Sequence, residues 1–148
     1  MTSGRRGNNI LEFAFLVPWY IFLFVGAFDY GFFAYSLIAV QTAARVGAQY
    51  CSANPTTETD ATTACSYALD QLRYMPNVGT GLTTCGTGTT VTSTAPLAVT
   101  AVALAQGPDL QPATSVTVTY KTPQLIPIPG VLPSQLTISR TVKMRMRS

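Results

Sequence analysis

The chain has 148 residues, a net charge of +3 and only 10 % charged residues, against about 25 % in ordinary globular proteins. Its basic residues sit at Arg5-Arg6 and at Arg140, Lys143, Arg145 and Arg147, with three scattered between, which makes no nucleic-acid footprint. Histidine is absent, the acids Glu12, Asp29, Glu58, Asp60, Asp70 and Asp109 form no catalytic spacing, and three cysteines do not make a zinc framework, so neither catalysis nor a metal or cofactor is expected.

From Phe13 to Val40 there is no lysine or arginine, and the only carboxylate is Asp29. As a helix this run is about 42 Å long at 1.5 Å per residue. The hydrocarbon core of a bilayer is roughly 30 Å thick, so the run spans it with turns to spare. A cleaved secretory signal fits poorly, since such signals have an apolar stretch of about 7–15 residues followed by a small-x-small site. Arg5 and Arg6, with no acid beside them, place the N-terminus on the cytoplasmic side by the positive-inside rule. The remainder then lies outside the cytoplasm.

Helical character should continue past the membrane, because Gln41 to Tyr50 contains no breaker before Asn54-Pro55 and Ala, Arg and Gln favour helix. The spacing predicts one helix from Asn9 to about Cys51, with Pro18 tolerated near the membrane entrance, and a polar link over 52–59. A second helix is expected over 60–74. Asp60 caps it, Ala61, Ala64, Cys65, Ala68, Leu69 and Leu72 form its narrow apolar stripe, and Pro76 closes it. That stripe suits packing on the outer end of the first helix. The Gly79–Gly88 stretch lacks the lysine and the strand–turn–helix setting of a phosphate loop.

The last third alternates with period two and reads as strands. Val116, Val118 and Tyr120 form one apolar row; Leu136, Ile138, Val142, Met144 and Met146 form another. Leu97 to Leu104 is a weaker candidate, since alanine blurs its period. Arg140 falls on the apolar parity, so it should sit at an edge or meet a carboxylate. Pro123 to Pro133 holds four prolines, which exclude a helix or central strand; the segment is an extended connector, either core cover or an exposed contact strip. The expected fold class is α+β. A long transmembrane helix (8–51, membrane part 13–40) precedes an outer domain (52–148) with a second helix and an antiparallel sheet of about three strands.

In an oxidising compartment Cys51, Cys65 and Cys85 suggest one disulfide and one spare thiol. Three pairings are open. Cys65 with Cys85 is favoured, because Cys65 lies on the apolar stripe and Cys85 in a Gly/Thr loop with little else to hold it.

Two groups stand out in the long helix. A carboxylate at the edge of a membrane helix is costly unless it finds water, a headgroup or a cation. Glu12 is the fifth residue after Gly7, and a cut between Gly7 and Asn8 would put a new α-amine four residues before it. The amine of a neighbouring copy could then neutralise Glu12 and set a stagger between helices. The plain alternatives are that Glu12 rests in the headgroup layer and that Gly7 is a flexible tail residue. Asp29 lies near the middle of the run. Either it is protonated or reaches water, or Gly26, Asp29 and Ser36 form a small polar strip that docks on a partner helix.

The stretch Arg6-Gly7-Asn8-Asn9-Ile10-Leu11-Glu12-Phe13 resembles the processing site of type IV prepilins, and more narrowly that of the TadE-like pseudopilins of tight-adherence (type IVc, Flp-type) pilus systems. Leu16-Val17-Pro18 resembles the family's apolar-proline step. Gly26-Ala27-Phe28-Asp29-Tyr30-Gly31 resembles its Gly-x-x-Glu-Phe-Gly, with Asp in place of Glu, and Gln41 to Ala48 resembles its Gln-x-Ala-Ala-Arg-x-Gly-Ala. Val116 to Tyr120 and Leu125 to Gly130 resemble its strand and Pro-rich turn. Residues 52–115 match no part of the family's pattern.

The resemblance implies a leader peptide, 1–7, removed at Gly7–Asn8 by a prepilin peptidase, with Glu12 and Phe13 serving assembly. It implies a minor pilin that primes or caps a thin pilus. Its partners would be other pilins, the inner-membrane assembly platform and membrane lipid. The location would be the inner membrane, crossed once, with the pilus at the cell surface as a further site. Major pilins of these systems carry almost nothing beyond the helix, so this longer chain should not be the main subunit. The alternatives are a single-pass envelope protein with a structural or binding outer domain, and a type II secretion pseudopilin.

Overall fold

The computed structural model describes residues 5–79, 81–86, 88–92, 94–107, 109–124 and 135–147, with only the backbone for 5–9. Five elements follow in order: α1 (Arg5–Cys51), α2 (Ala61–Leu72), β1 (Leu97–Leu104), β2 (Ala113–Lys121) and β3 (Thr137–Arg145). This is the expected α+β fold, a long apolar helix followed by a second helix and a three-stranded antiparallel sheet. By contacts, residues 1–34 form one unit and residues 35–148 another.

α1 starts four residues before the expected Asn9, running through Gly7 despite the low helix propensity of glycine, and it contains Pro18. In the first unit its large apolar side chains are bare: Phe13, Phe15, Trp19 and Phe24 are all exposed. Over residues 10–24 every side chain is exposed, and an apolar stretch left bare in this way suits a bilayer better than water.

In the second unit α1 becomes an alanine helix. Val40, Ala43, Ala44, Ala48 and Cys51 are fully buried. Gly47 shows how close the packing is, since a Cβ there would lie 3.3 Å from Val116 Cγ1 of β2 and 3.8 Å from Ala64 Cβ of α2. Hydrogen bonds from the link and from the C-terminal strand's end meet the carbonyls at and just after the end of α1. Thr57 Oγ1 donates to the Asn54 and Tyr50 carbonyls at 2.9 and 3.2 Å, and Arg147 N–H donates to Ser52 O at 3.0 Å.

Asp60 caps α2 as its position suggests, accepting from Thr63 N at 3.0 Å and from the Tyr50 hydroxyl at 3.1 Å. These hydrogen bonds, chiefly those from Thr63, hold its carboxyl below the ordinary 3.8. The helix stops at Leu72, two residues before the expected Tyr74. Met75 N already closes a tight turn on Leu72 O at 2.9 Å, and Pro76 drives Met75 out of helical geometry. Ala64, Cys65, Ala68 and Leu72 form its buried face, while Ala61 and Leu69 are only half-buried.

The sheet has the order β1-β2-β3. Leu97 pairs with Tyr120 and Leu104 with Ala113, while Ala113 pairs with Arg145 and Lys121 with Thr137. Val116, Val118, Tyr120 and Ile138 supply its buried row. The Tyr120 hydroxyl donates to Asn77 Oδ1 at 2.5 Å, and Asn77 Nδ2 donates to Lys121 O at 2.6 Å, which ties the turn after α2 to β2. Burial pushes the Tyr120 phenol up to about 12. Most of the Pro-rich connector, 125–134, lies outside the described residues. Its flanks meet, with Thr122 N donating to Leu136 O at 2.8 Å and Leu136 N to Thr122 Oγ1 at 2.9 Å.

Candidate functional site

An α-helix turns once every 3.6 residues, so the features of α1 are placed by counting. The Gly7–Asn8 bond lies within its first turns. Glu12 stands four residues, about one turn, after Asn8 along the helix. Glu12 is exposed, flanked by Ile10, Leu11, Phe13 and Phe15, which are 60–82 % exposed. It has no ion-pair partner among the described residues, where the one salt bridge joins Arg73 to Asp70 at 3.5 Å. Ile10, Phe13, Ala14 and Val17 line a shallow apolar groove along the same stretch. Among the described residues, then, this carboxylate stands without a counter-charge on an exposed apolar stretch.

Gly26, Asp29 and Ser36 are placed differently. Steps of three and seven keep them on one face. Asp29 is 1 % exposed and Ser36 is fully buried, while Gly26 is half-buried with open space where a Cβ would be. Asp29 Oδ2 has no hydrogen-bond partner among the described residues. The strip thus presents only Gly26 to the outside; its two polar side chains are covered within the chain.

The structure joins Cys65 to Cys85 in a disulfide and leaves Cys51 as a buried thiol. Beside it, α2, the loop at Thr83–Gly88 and the free side of β1 enclose a pocket of about 600 Å³. Among the described residues, no three His, Cys, Asp or Glu gather as they would around a metal ion.

Arg140 sits on the edge strand β3, opposite Val118, and is exposed. It shares a cleft with Arg45 of α1, a meeting that sequence reasoning did not foresee. Its one trace in the sequence is the arginine on an apolar parity.

Residues 10–49 match the family model described as TadE-like protein. That segment of the chain is TadE-like. The match takes in Glu12, Asp29 and Arg45 and ends before α2 begins, so it covers most of α1 and leaves α2 and the sheet unmatched. No match was found among curated proteins or among solved structures. The TadE-like segment connects the chain with tight-adherence (Flp) pilus systems, whose pilins are structural proteins that associate with other pilus components. It agrees with a helix long and apolar enough to cross a membrane once.

Proposed function

We propose that the chain is a minor pilin of a tight-adherence pilus, cut between Gly7 and Asn8 by a prepilin peptidase, and that it primes or caps assembly. The observation that carries this reading is the exposed Glu12 on an otherwise apolar, uncovered helix at the start of the TadE-like segment. In a bilayer such a carboxylate is costly until a cation reaches it. The α-amine that processing would create on a neighbouring mature chain is a cation of the right reach. The bare, aromatic-rich surface of residues 13–24 offers the area for helices to pack side by side. The outer domain of residues 52–148 is too large for a subunit whose neighbours are little more than helices, which favours a few copies at one end of the filament. The N-terminus lies in the cytoplasm and the outer domain beyond the inner membrane.

N-terminal sequencing after co-expression with the cognate peptidase is the test. A mature chain starting at Asn8 is expected from the wild type and from Glu12→Ala. Gly7→Leu should stay uncut, because the bulky side chain blocks the site. Glu12→Ala should be processed and then fail to co-purify with the other pilins. A mature chain that keeps Met1 refutes the processing step. Normal piliation with Glu12→Ala refutes the role given to the carboxylate.

A further inference from the structure

The membrane-proximal end of the second unit carries a cleft that the pilin reading does not use. α1 and the edge strand β3 enclose about 640 Å³, with Leu37 and Ile38 at one end and Gln41, Arg45 and Arg140 among its polar lining. All of these residues belong to the unit of residues 35–148. Neither arginine has an ion-pair partner among the described residues, and no carboxylate lines the cleft. The hydroxyls of Ser139 and Thr141, on the β3 wall, already pair with Thr119 and Thr117 at 3.2 and 2.8 Å. The chemistry left open is that of two guanidiniums, whose planar forks match phosphate oxygens.

Depth decides what anion this is. The apolar run ends at Val40, and Arg45 stands five residues, about 7.5 Å, further along the helix. The headgroup layer on each side of a bilayer is roughly 5–7 Å thick. With the hydrocarbon edge set at Val40, Leu37 and Ile38 fall at the level of the acyl chains and Arg45 at the outer side of the headgroup layer.

We propose that this cleft holds the phosphate headgroup of an anionic phospholipid, in the leaflet facing the outer domain, with an acyl chain leaving along Leu37 and Ile38. The lipid would anchor the base of the outer domain at a fixed depth. The proposal rests on the reading of α1 as a membrane span.

The test is native mass spectrometry of the full chain in nonionic detergent, with phosphatidylglycerol or phosphatidylcholine added. The wild type should retain phosphatidylglycerol in preference to phosphatidylcholine. Joint replacement Arg45→Gln and Arg140→Gln should weaken phosphatidylglycerol binding by about an order of magnitude, the effect of losing two cations near a charged surface. Lys143→Gln with Arg147→Gln should leave it unchanged. No headgroup preference, or a preference that survives in the Arg45/Arg140 variant, overturns the proposal. Displacement by millimolar inorganic phosphate would mark a free-anion site and also overturns it. Loss of pilin co-purification with unchanged lipid binding would assign the cleft to a carboxylate-bearing protein. Alkaline carbonate extraction separates the two readings. A chain released from membranes defeats the span itself, whereas a retained chain without headgroup preference defeats only the cleft.

Discussion

Replacing both Cys65 and Cys85 by alanine should destabilise the outer domain by about 3 kcal/mol in the chain-entropy model for a bridge across 20 residues. The structure shows why little else compensates. Cys65 is anchored on the buried face of α2, while beside Cys85 the described residues show one β-bridge to the sheet, in which Gly86 N donates to Leu97 O at 2.8 Å. Urea unfolding of the full chain in nonionic detergent measures the loss. With a slope of about 1–1.5 kcal/mol per molar, usual for a domain of this size, the midpoint should fall by roughly 2–3 M. The signal should be tyrosine fluorescence or far-ultraviolet dichroism, because the chain's one tryptophan, Trp19, lies in the apolar run. Alkylation gives an independent count. No cysteine should react in the native oxidised protein, one (Cys51) after unfolding without reductant, and three after unfolding with it. A midpoint shift below about 0.5 M, or three reactive thiols without reductant, refutes the reasoning.

Gly47→Leu should cost about 1–3 kcal/mol or more by overpacking against Val116 and Ala64, whereas Gly47→Ala should stay near neutral, its tight 3.3 Å contact offset by better helix propensity. The same urea midpoints check both. Tyr120→Phe should lose about 1 kcal/mol with the hydrogen bond to Asn77. Because the folded-state value of Tyr120 is raised to about 12, its stabilisation is complete below the unfolded value of 10.0 and is lost as pH rises from there through about 12. Thermal melts across that range should fall for the wild type and stay flatter for Tyr120→Phe. Asp60 has the opposite sign: its folded value is lowered, so its contribution is present above 3.8 and is lost as pH falls through the folded value. Asp60→Asn keeps a capping oxygen without the charge and should show a weaker acid dependence in the same melts.

The elements were legible wherever one physical signal dominated. Phe13 to Val40 can hardly be anything but an apolar helix, and the alternation of Val116, Val118 and Tyr120 marks a half-buried strand. The cap at Asp60 needs only a carboxylate ahead of an alanine-rich stripe. Signals faded where two effects compete. Alanines in Leu97–Leu104 carry little hydrophobic contrast, and only pairing with β2 shows this segment to be an edge strand. The end of α2 moved inward because the tight turn at Met75 and the constraint of Pro76 outweigh the helix propensity of Arg73. The burial of Asp29 and Ser36 has no local signature, since spacing gives their common face and says nothing of what covers it. The Arg45–Arg140 cleft depends on residues 95 positions apart and on strand register, which no local pattern encodes.

One change of composition inside α1 does carry functional meaning. From Phe13 to Phe33 the helix is built largely of phenylalanine, tyrosine, leucine and tryptophan; from Ala34 to Ala48 five positions are alanine and one is Gly47. Bulky side chains on all sides give a rod that lipid or other apolar helices can cover at any azimuth, and they prevent close approach of a sheet. Small side chains do the reverse. They let Ala64 and Val116 come within van der Waals reach of the helix at Gly47. The switch occurs where contacts divide the chain, between Ala34 and Tyr35. The TadE-like segment spans both halves, so the matched pattern includes the bare rod together with the packing face of the outer domain. A helix used only as an anchor would need the first half alone. The second half makes the same helix part of the core of residues 35–148, where Val40, Ala43, Ala44, Ala48 and Cys51 are fully buried.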